Sequence, residues 1–148
     1  MTSRQDKAAG MFANSYNCAQ AVFTSFSDIS GIDEETSCKI TCAFGAGGGR
    51  KQYCCGAVSG SLMVISALTG RSKSGSKSDQ EDSYSLAREF FSRFELLHKT
   101  SECKKLLDGI DFLTAEGQER FKQEGMSTRC TGFITDSIAI LEDILNLA

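Results

Sequence analysis

The segment that decides the fold is Cys55-Gly56-Ala57-Val58-Ser59-Gly60. It places a cysteine on a glycine-rich turn, directly before an apolar stretch, 57–68, that is predicted to form a buried helix. The chain contains seven cysteines but only one histidine, His98. Sulfur chemistry is therefore favoured over chemistry that depends on histidine.

The composition predicts an all-α protein. With 148 residues and no proline, the chain suits a single domain in which nothing interrupts helical hydrogen bonding. No segment alternates with the period of a strand. We expect a single-domain bundle of about six or seven helices spanning 1–148, with a flexible, serine-rich loop near 71–78.

Several helix boundaries can be predicted from capping residues and apolar spacing. A helix over 18–27 follows Asn17, a helix over 34–44 follows Asp33, and the last helix spans 129–147. Asp79 is predicted to cap a long amphipathic helix. The inner stripe of that helix is predicted to consist of Tyr84, Ala87, Phe91, Phe94 and Leu97.

Charge and hydropathy exclude two classes of partner. A net charge of −3 gives no electrostatic reason to bind nucleic acid. The longest apolar run, about a dozen residues, is shorter than the ~20 that a membrane span requires. The first residues, 1–6, lack the apolar core of a signal peptide. We therefore expect a cytoplasmic protein, in which seven cysteines are not a static disulfide framework.

Four cysteines occur where helices are predicted to begin: Cys18, Cys55, Cys103 and Cys130. Ser101 and Thr128 are the predicted caps for the last two. Free backbone N–H groups and the helix dipole stabilise a thiolate in a first turn, and can lower its pKa below the usual ~8.5. Each of the four also begins an apolar stripe, so they are expected to face inward together. The alternative is that each is only a small buried hydrophobic residue.

The other three cysteines have less specific patterns. Cys38 and Cys42 are one helical turn apart and are either a dithiol, a ligand pair or packing residues. Cys54 adjoins Cys55, and a disulfide bond between cysteines that are adjacent in sequence is strained and rare. We interpret Cys54 as a candidate resolving thiol.

A glycine loop, Gly45-Ala46-Gly47-Gly48-Gly49-Arg50, precedes the apolar helix. Its N–H groups and Arg50 form a candidate anion site, contributed by Gly47, Gly48, Gly49 and Arg50, that could also support a thiolate at Cys55. The alternative, which we favour, is a tight turn that allows close packing. Gly56 and Gly60, one turn apart, fit either interpretation.

These residues together resemble the family of small redox-active proteins named for the cysteine pattern C_GCAxxG_C_C. The first cysteine lies in the stretch 17–22, the glycine loop in 44–50, and the CGAxxG motif in 55–60. The third cysteine, Cys103, precedes Leu106 and Leu107, and Cys130 opens the last helix. The resemblance covers nearly the whole chain and implies redox activity at the four cysteines, without implying a substrate. The resemblance implies no role for Cys38, Cys42 or Cys54.

Three functions follow as hypotheses. The first is a thiol–disulfide redox protein, a possible oxidoreductase, with Cys55 as nucleophile, one of Cys18, Cys103 or Cys130 as resolving thiol, and an unidentified redox partner or small thiol. It requires no cofactor. The second is a zinc or iron–sulfur protein with the same four thiolates as ligands. The third is a non-enzymatic helical binding module. The exposed face of 83–99 is a candidate homodimer surface.

Overall fold

The computed structural model describes residues 1–147, and this part of the chain contains nine α-helices and one 3₁₀ helix. Their bounds are α1 Ser3–Ala13, α2 Cys18–Thr24, α3 Ser27–Ser30, α4 Glu34–Thr41, the 3₁₀ helix Cys42–Gly47, α5 Gly56–Thr69, α6 Lys77–His98, α7 Cys103–Leu106, α8 Ala115–Gln123 and α9 Met126–Ile144. Residues 1–147 include no β-strand, only one isolated bridge between Cys54 and Glu102. The all-α prediction is confirmed.

The predicted number of helices, six or seven, was too low, and two of the predicted helices end earlier than expected. The helix expected over 18–27 ends at Thr24, and a separate turn, α3, begins after Phe26, whose backbone leaves the helical region (φ −105°, ψ 13°). The helix expected over 34–44 ends at Thr41 and tightens into the 3₁₀ helix. Gly45, with extended backbone (φ −66°, ψ 153°), prevents a longer α-helix.

Caps explain where the helices begin. The predicted cap at Asn17 is confirmed: its side chain accepts a hydrogen bond from the Gln20 N–H at 2.9 Å, and the side-chain oxygen of Gln20 accepts one from the Asn17 N–H at 3.0 Å. The cap predicted at Asp79 was wrong, since Ser76 caps α6 and Asp79 is its partner in a capping box. Two residues of the loop predicted near 71–78, Lys77 and Ser78, therefore belong to α6.

The core surrounds α5, which packs against α2, α6 and α9. From α5 come buried Val58, Val64 and Ile65, and α9 contributes Ile134, Ile138 and Leu141 among others. The predicted inner stripe of α6 is partly wrong. Phe94 is buried, but the buried positions that accompany it are Ser83 and Phe90, whereas Tyr84 and Leu97 are exposed. The helix is rotated so that Phe94 and His98 meet Phe133 of α9.

Gly56 and Gly60 allow α2 and α5 to pack backbone against backbone. A Cβ on Gly60 would lie 2.9 Å from the Ala19 carbonyl oxygen, and one on Gly56 would lie 3.1 Å from the Ala19 nitrogen and from Cβ of Cys18. These distances leave no room for a side chain. The close approach brings the beginning of α2, with Cys18, beside the beginning of α5, with Cys55.

We expect Gly60→Ala to destabilise the fold by about 1–3 kcal/mol, because the added methyl group meets backbone that cannot move without separating α2 from α5. Gly132→Ala is the matched control, since a Cβ there has nothing within 4 Å. Alanine also has the higher helix propensity, so the control should be neutral or gain about 0.4–1 kcal/mol. Urea unfolding of the two variants measures the difference, and equal stabilities would contradict the close packing.

Among the described residues, no helix combines the length and the hydropathy that crossing a lipid bilayer requires.

Candidate functional site

Four of the seven cysteines line a single cavity of about 120 Å³. They are Cys18, Cys55, Cys103 and Cys130, the four that occur near predicted helix starts. Their segments are far apart in the sequence, and the fold brings them together at the helix ends on one side of the core. All seven cysteines are free thiols in this structure.

Two helix starts position Cys18 and Cys55. Cys18 is the first residue of α2, held by the Asn17 cap, and the Asn17 side chain also donates a hydrogen bond to the Cys42 carbonyl at 2.9 Å. Gly45 makes room for that amide, because a Cβ there would lie 2.4 Å from the Asn17 side chain. Cys55 is the cap residue of α5, and its thiol faces the N–H groups of Ala57 and Val58.

A short antiparallel pairing sets Cys55 beside Cys103. The Cys55 N–H donates to the Ser101 carbonyl at 2.8 Å, and the Cys103 N–H donates to the Tyr53 carbonyl at 2.7 Å. Successive side chains of extended backbone point to opposite sides. Cys55 and Cys103 therefore share the side that faces the cavity, and Cys54, opposite Glu102, has the other orientation. The predicted cap at Ser101 was wrong, because Ser101 belongs to this pairing and Glu102 precedes α7.

Cys130 reaches the cavity from the second turn of α9. The predicted helix start at 129 was wrong, since α9 begins at Met126 after Gly125, which has left-handed backbone (φ 63°). Cys130 is therefore held by packing within a continuous helix. Its thiol and the thiol of Cys18 both line the cavity, and each shifts the pKa of the other.

The expectation of lowered pKa values was wrong for three of the four thiols. Burial raises the pKa of Cys55 to about 12, against the opposing effect of the Ala57 N–H. Burial and the neighbouring Cys130 likewise raise the pKa of Cys103 to about 12. The hydrogen bond to Cys130, followed by burial, raises the pKa of Cys18 well above its ordinary value. At Cys55 and Cys103, desolvation by the surrounding apolar side chains outweighs the effect of the helix dipole.

Cys130 is the exception. The hydrogen bond from the Cys18 thiol lowers the pKa of Cys130, although burial opposes it. This hydrogen bond favours a thiolate at Cys130 over a thiolate at Cys18, so the first proton of the pair leaves from Cys130. Cys130 is the thiolate that this cavity stabilises.

Residues 16–144 match the family model described as "Putative redox-active protein (C_GCAxxG_C_C)". The chain belongs to this family. No curated protein and no solved structure matches the chain. The matched segment contains all seven cysteines, and the four that line the cavity are among them.

Gln52 supports the cavity that the four cysteines line, and its role could not be recognised in the sequence. It is buried, and its side chain donates to the Ile110 carbonyl at 2.7 Å and accepts from the Phe112 N–H at 2.8 Å. The same side chain forms a hydrogen bond that lowers the pKa of Cys103 against the larger effect of burial. No local pattern identifies such a residue, since its partners are distant in sequence and its own backbone is left-handed (φ 58°).

The glycine loop forms a tight turn. The N–H groups of Gly48 and Gly49 both donate to the Gly45 carbonyl, at 3.1 and 3.0 Å. A Cβ on Gly47 would lie 2.4 Å from the Cα of Gln52, so this glycine allows the loop to close on the segment before Cys54. Arg50 is exposed. Two of the candidate anion-binding N–H groups are thus used inside the loop, and anion binding stays a prediction.

The three remaining cysteines lie outside the cavity lining. Cys42 is exposed, and Cys38 is in contact with the Thr24 hydroxyl at 3.5 Å. Cys54 is half-buried, and burial raises the pKa of its thiol. Within residues 1–147, no three His, Cys, Asp or Glu side chains are arranged to hold a common metal ion. The zinc and iron–sulfur hypotheses stay predictions from the cysteine pattern.

The raised pKa of Cys55 predicts a pH dependence of stability. A thiol whose pKa rises from 9.0 in the unfolded chain to about 12 in the fold contributes stability that is fully present below pH 9. That contribution is lost as the pH increases toward 12. We expect Cys55→Ala to flatten the decline of the unfolding free energy between pH 9 and 11.

Urea unfolding at several pH values measures this decline, and Cys42→Ala is the control because Cys42 is exposed. Lysine and tyrosine titrations are common to all variants and cancel in the comparison. Parallel pH profiles for the wild type and Cys55→Ala would show that Cys55 keeps an ordinary pKa in the fold.

Proposed function

We propose that the protein is a thiol–disulfide oxidoreductase whose primary redox couple is Cys18 and Cys130. The observation that carries the proposal is that both thiols line the four-cysteine cavity and that each is the largest influence on the pKa of the other. Membership of the redox-active family supports the reaction class. The cytoplasm, where seven cysteines stay reduced unless oxidised by a specific partner, is the proposed compartment.

Cys130 replaces Cys55 as the proposed nucleophile. The thiolate is the reactive form of cysteine, and the pKa is lowered at Cys130 but raised at Cys55. Cys55 and Cys103, both neutral at physiological pH, complete the cavity wall and react later than the primary couple. Cys54 is not the resolving thiol in this scheme, because its position opposite Glu102 directs it away from the cavity.

The reaction proceeds in two exchanges. The Cys130 thiolate attacks one sulfur of a substrate disulfide, forms a mixed disulfide and releases the first substrate thiolate, which takes the proton of the Cys18 thiol. Cys18, now a thiolate, attacks Cys130 Sγ of the mixed disulfide and releases the second substrate thiolate, which is protonated from solvent. The protein is oxidised by two electrons, and the substrate disulfide is reduced to two thiols.

An anaerobic redox titration tests this function. The protein is equilibrated in dithiol–disulfide buffers over ~−200 to −300 mV, free thiols are alkylated, and the modified cysteines are located by mass spectrometry. The free thiols of Cys18 and Cys130 should disappear together, and their dependence on potential should have the slope of a two-electron couple. Cys42→Ser, which removes an exposed thiol, should titrate identically. Independent loss of single thiols, or no loss before unfolding, would overturn the proposal.

A further inference from the structure

We infer that the cavity selects small, uncharged disulfides as its substrates. This inference rests on the proposed function and adds the substrate class. It depends on three properties of the cavity: its volume, the chemistry of its wall, and the engagement of the nearest polar and charged side chains.

The volume limits the size of the substrate. An apolar protein cavity of about 150 Å³ stays dry and accepts a molecule the size of benzene, which has six heavy atoms. The cavity here measures about 120 Å³ and is of the same kind. Phenylalanine and leucine side chains form most of its wall beyond the thiols, namely Phe12, Phe112, Phe121, Phe133, Leu106 and Leu107. Dimethyl disulfide, with four heavy atoms, fits this space, whereas oxidised glutathione is many times too large.

The wall provides no lasting partner for a charged substrate. Its one charge is the Cys130 thiolate, which repels a carboxylate and is consumed when the mixed disulfide forms, so it cannot stay paired with a substrate ammonium. Asn17 is the one polar side chain other than the thiols, and its oxygen and nitrogen are already bonded to the Gln20 N–H and the Cys42 carbonyl. An unpaired ammonium or carboxylate in such an environment is strongly disfavoured.

Arg129, the cationic residue next to Cys130 in the sequence, already has two partners. Arg129 donates to the Leu106 carbonyl at 3.1 Å and forms an ion pair with Asp108 at 3.0 Å. A substrate carboxylate could recruit this guanidinium only by replacing both partners. Binding therefore favours substrates without charge of either sign.

The reaction with dimethyl disulfide balances in atoms and electrons. Cys130 and Cys18 each lose one hydrogen and become a disulfide, and dimethyl disulfide takes up two hydrogens and becomes two molecules of methanethiol. No further oxidant or reductant is needed. The neutral reactant and the neutral product both suit an apolar cavity.

The test compares three disulfides on the same protein: dimethyl disulfide, 2-hydroxyethyl disulfide and cystamine. The last two have equal numbers of heavy atoms, but only cystamine is charged. Mass spectrometry measures the rate at which each disulfide oxidises the Cys18–Cys130 pair and the rate at which it modifies exposed Cys42 in the same molecules. The ratio of the first rate to the second corrects for differences in intrinsic reactivity among the three disulfides. We expect dimethyl disulfide to give a ratio at least ~10-fold above that of cystamine, with 2-hydroxyethyl disulfide between them.

A variant of the cavity wall separates the effect of substrate size from the effect of substrate charge. Phe121→Ala removes a half-buried ring from the wall and should raise the ratio for 2-hydroxyethyl disulfide several-fold while leaving that for cystamine low. Equal ratios for cystamine and the uncharged disulfides, with Cys18 and Cys130 oxidised by all, would overturn the selectivity and leave the proposed function intact. Failure of every disulfide to oxidise the pair would overturn both.

Discussion

Cys130→Ser is expected to abolish every disulfide that involves Cys18 at potentials where the wild-type pair is fully oxidised. Serine keeps the size of the side chain and a hydrogen bond to the Cys18 thiol, but it cannot form a disulfide. Cys18 then has no low-pKa partner, because burial and neighbouring thiols raise the pKa of Cys55 and Cys103 to about 12. Counting alkylated thiols after oxidation measures the effect.

Two matched variants control this experiment. Cys42→Ser removes an exposed thiol, and Cys54→Ser removes the thiol that adjoins the CGAxxG motif without lining the cavity. Both should retain pairwise oxidation of Cys18 and Cys130. Pairwise loss of two thiols in Cys130→Ser, with Cys18 among them, would show that Cys130 is not the essential partner.

Gln52→Met is expected to reduce the unfolding free energy by about 2–6 kcal/mol. Methionine matches the length of glutamine but cannot form hydrogen bonds, so the buried Ile110 carbonyl and Phe112 N–H both lose their partner. Each unsatisfied buried group costs roughly 1–3 kcal/mol. Phe112 lines the thiol cavity, so its loosened segment should also make Cys103 more accessible to alkylation.

Gln118→Met is the control for this prediction. Gln118 donates to the Phe112 carbonyl at 2.9 Å, so it holds the same segment, but from an exposed position where water can replace it. We expect a loss of less than about 1 kcal/mol. If urea unfolding finds the two variants equally stable, Gln52 does not hold this segment in the way its hydrogen bonds indicate.

Local signals were sufficient to predict part of the fold and of the site. The Asn17 cap with Gln20 determines where α2 begins, because both partners lie within one turn of Cys18. The apolar run after Cys55 and the glycines of the CGAxxG motif likewise predict a buried helix that packs closely on another. These features depend on neighbouring residues, and such residues are visible in a single sequence.

Features that depend on distant segments could not be predicted in the same way. The start of α9 at Met126 follows a left-handed Gly125, whereas Thr128 has the usual composition of a cap. The pairing of 53–55 with 101–103 is too short to produce an alternating pattern, yet it is what brings Cys103 to Cys55.

The pKa expectation failed for the same reason. A helix start lowers the pKa of a cysteine when water surrounds it, and the sequence around Cys55 fits that environment. Closure of the cavity depends on aromatic residues from other parts of the chain, including Phe12, Phe121 and Phe133. Their combined desolvation reverses the sign of the shift, and no local pattern records it.

The central claim is that Cys18 and Cys130 form the first disulfide, and the most direct test is the identity of that bond. The protein is oxidised until two thiols are lost, the remaining thiols are alkylated, and the unreduced protein is digested and sequenced by mass spectrometry. We predict a single cross-link between the peptides that contain Cys18 and Cys130, in a monomeric chain. A first bond that joins any other pair, such as Cys38 with Cys42 or Cys55 with Cys103, would contradict it.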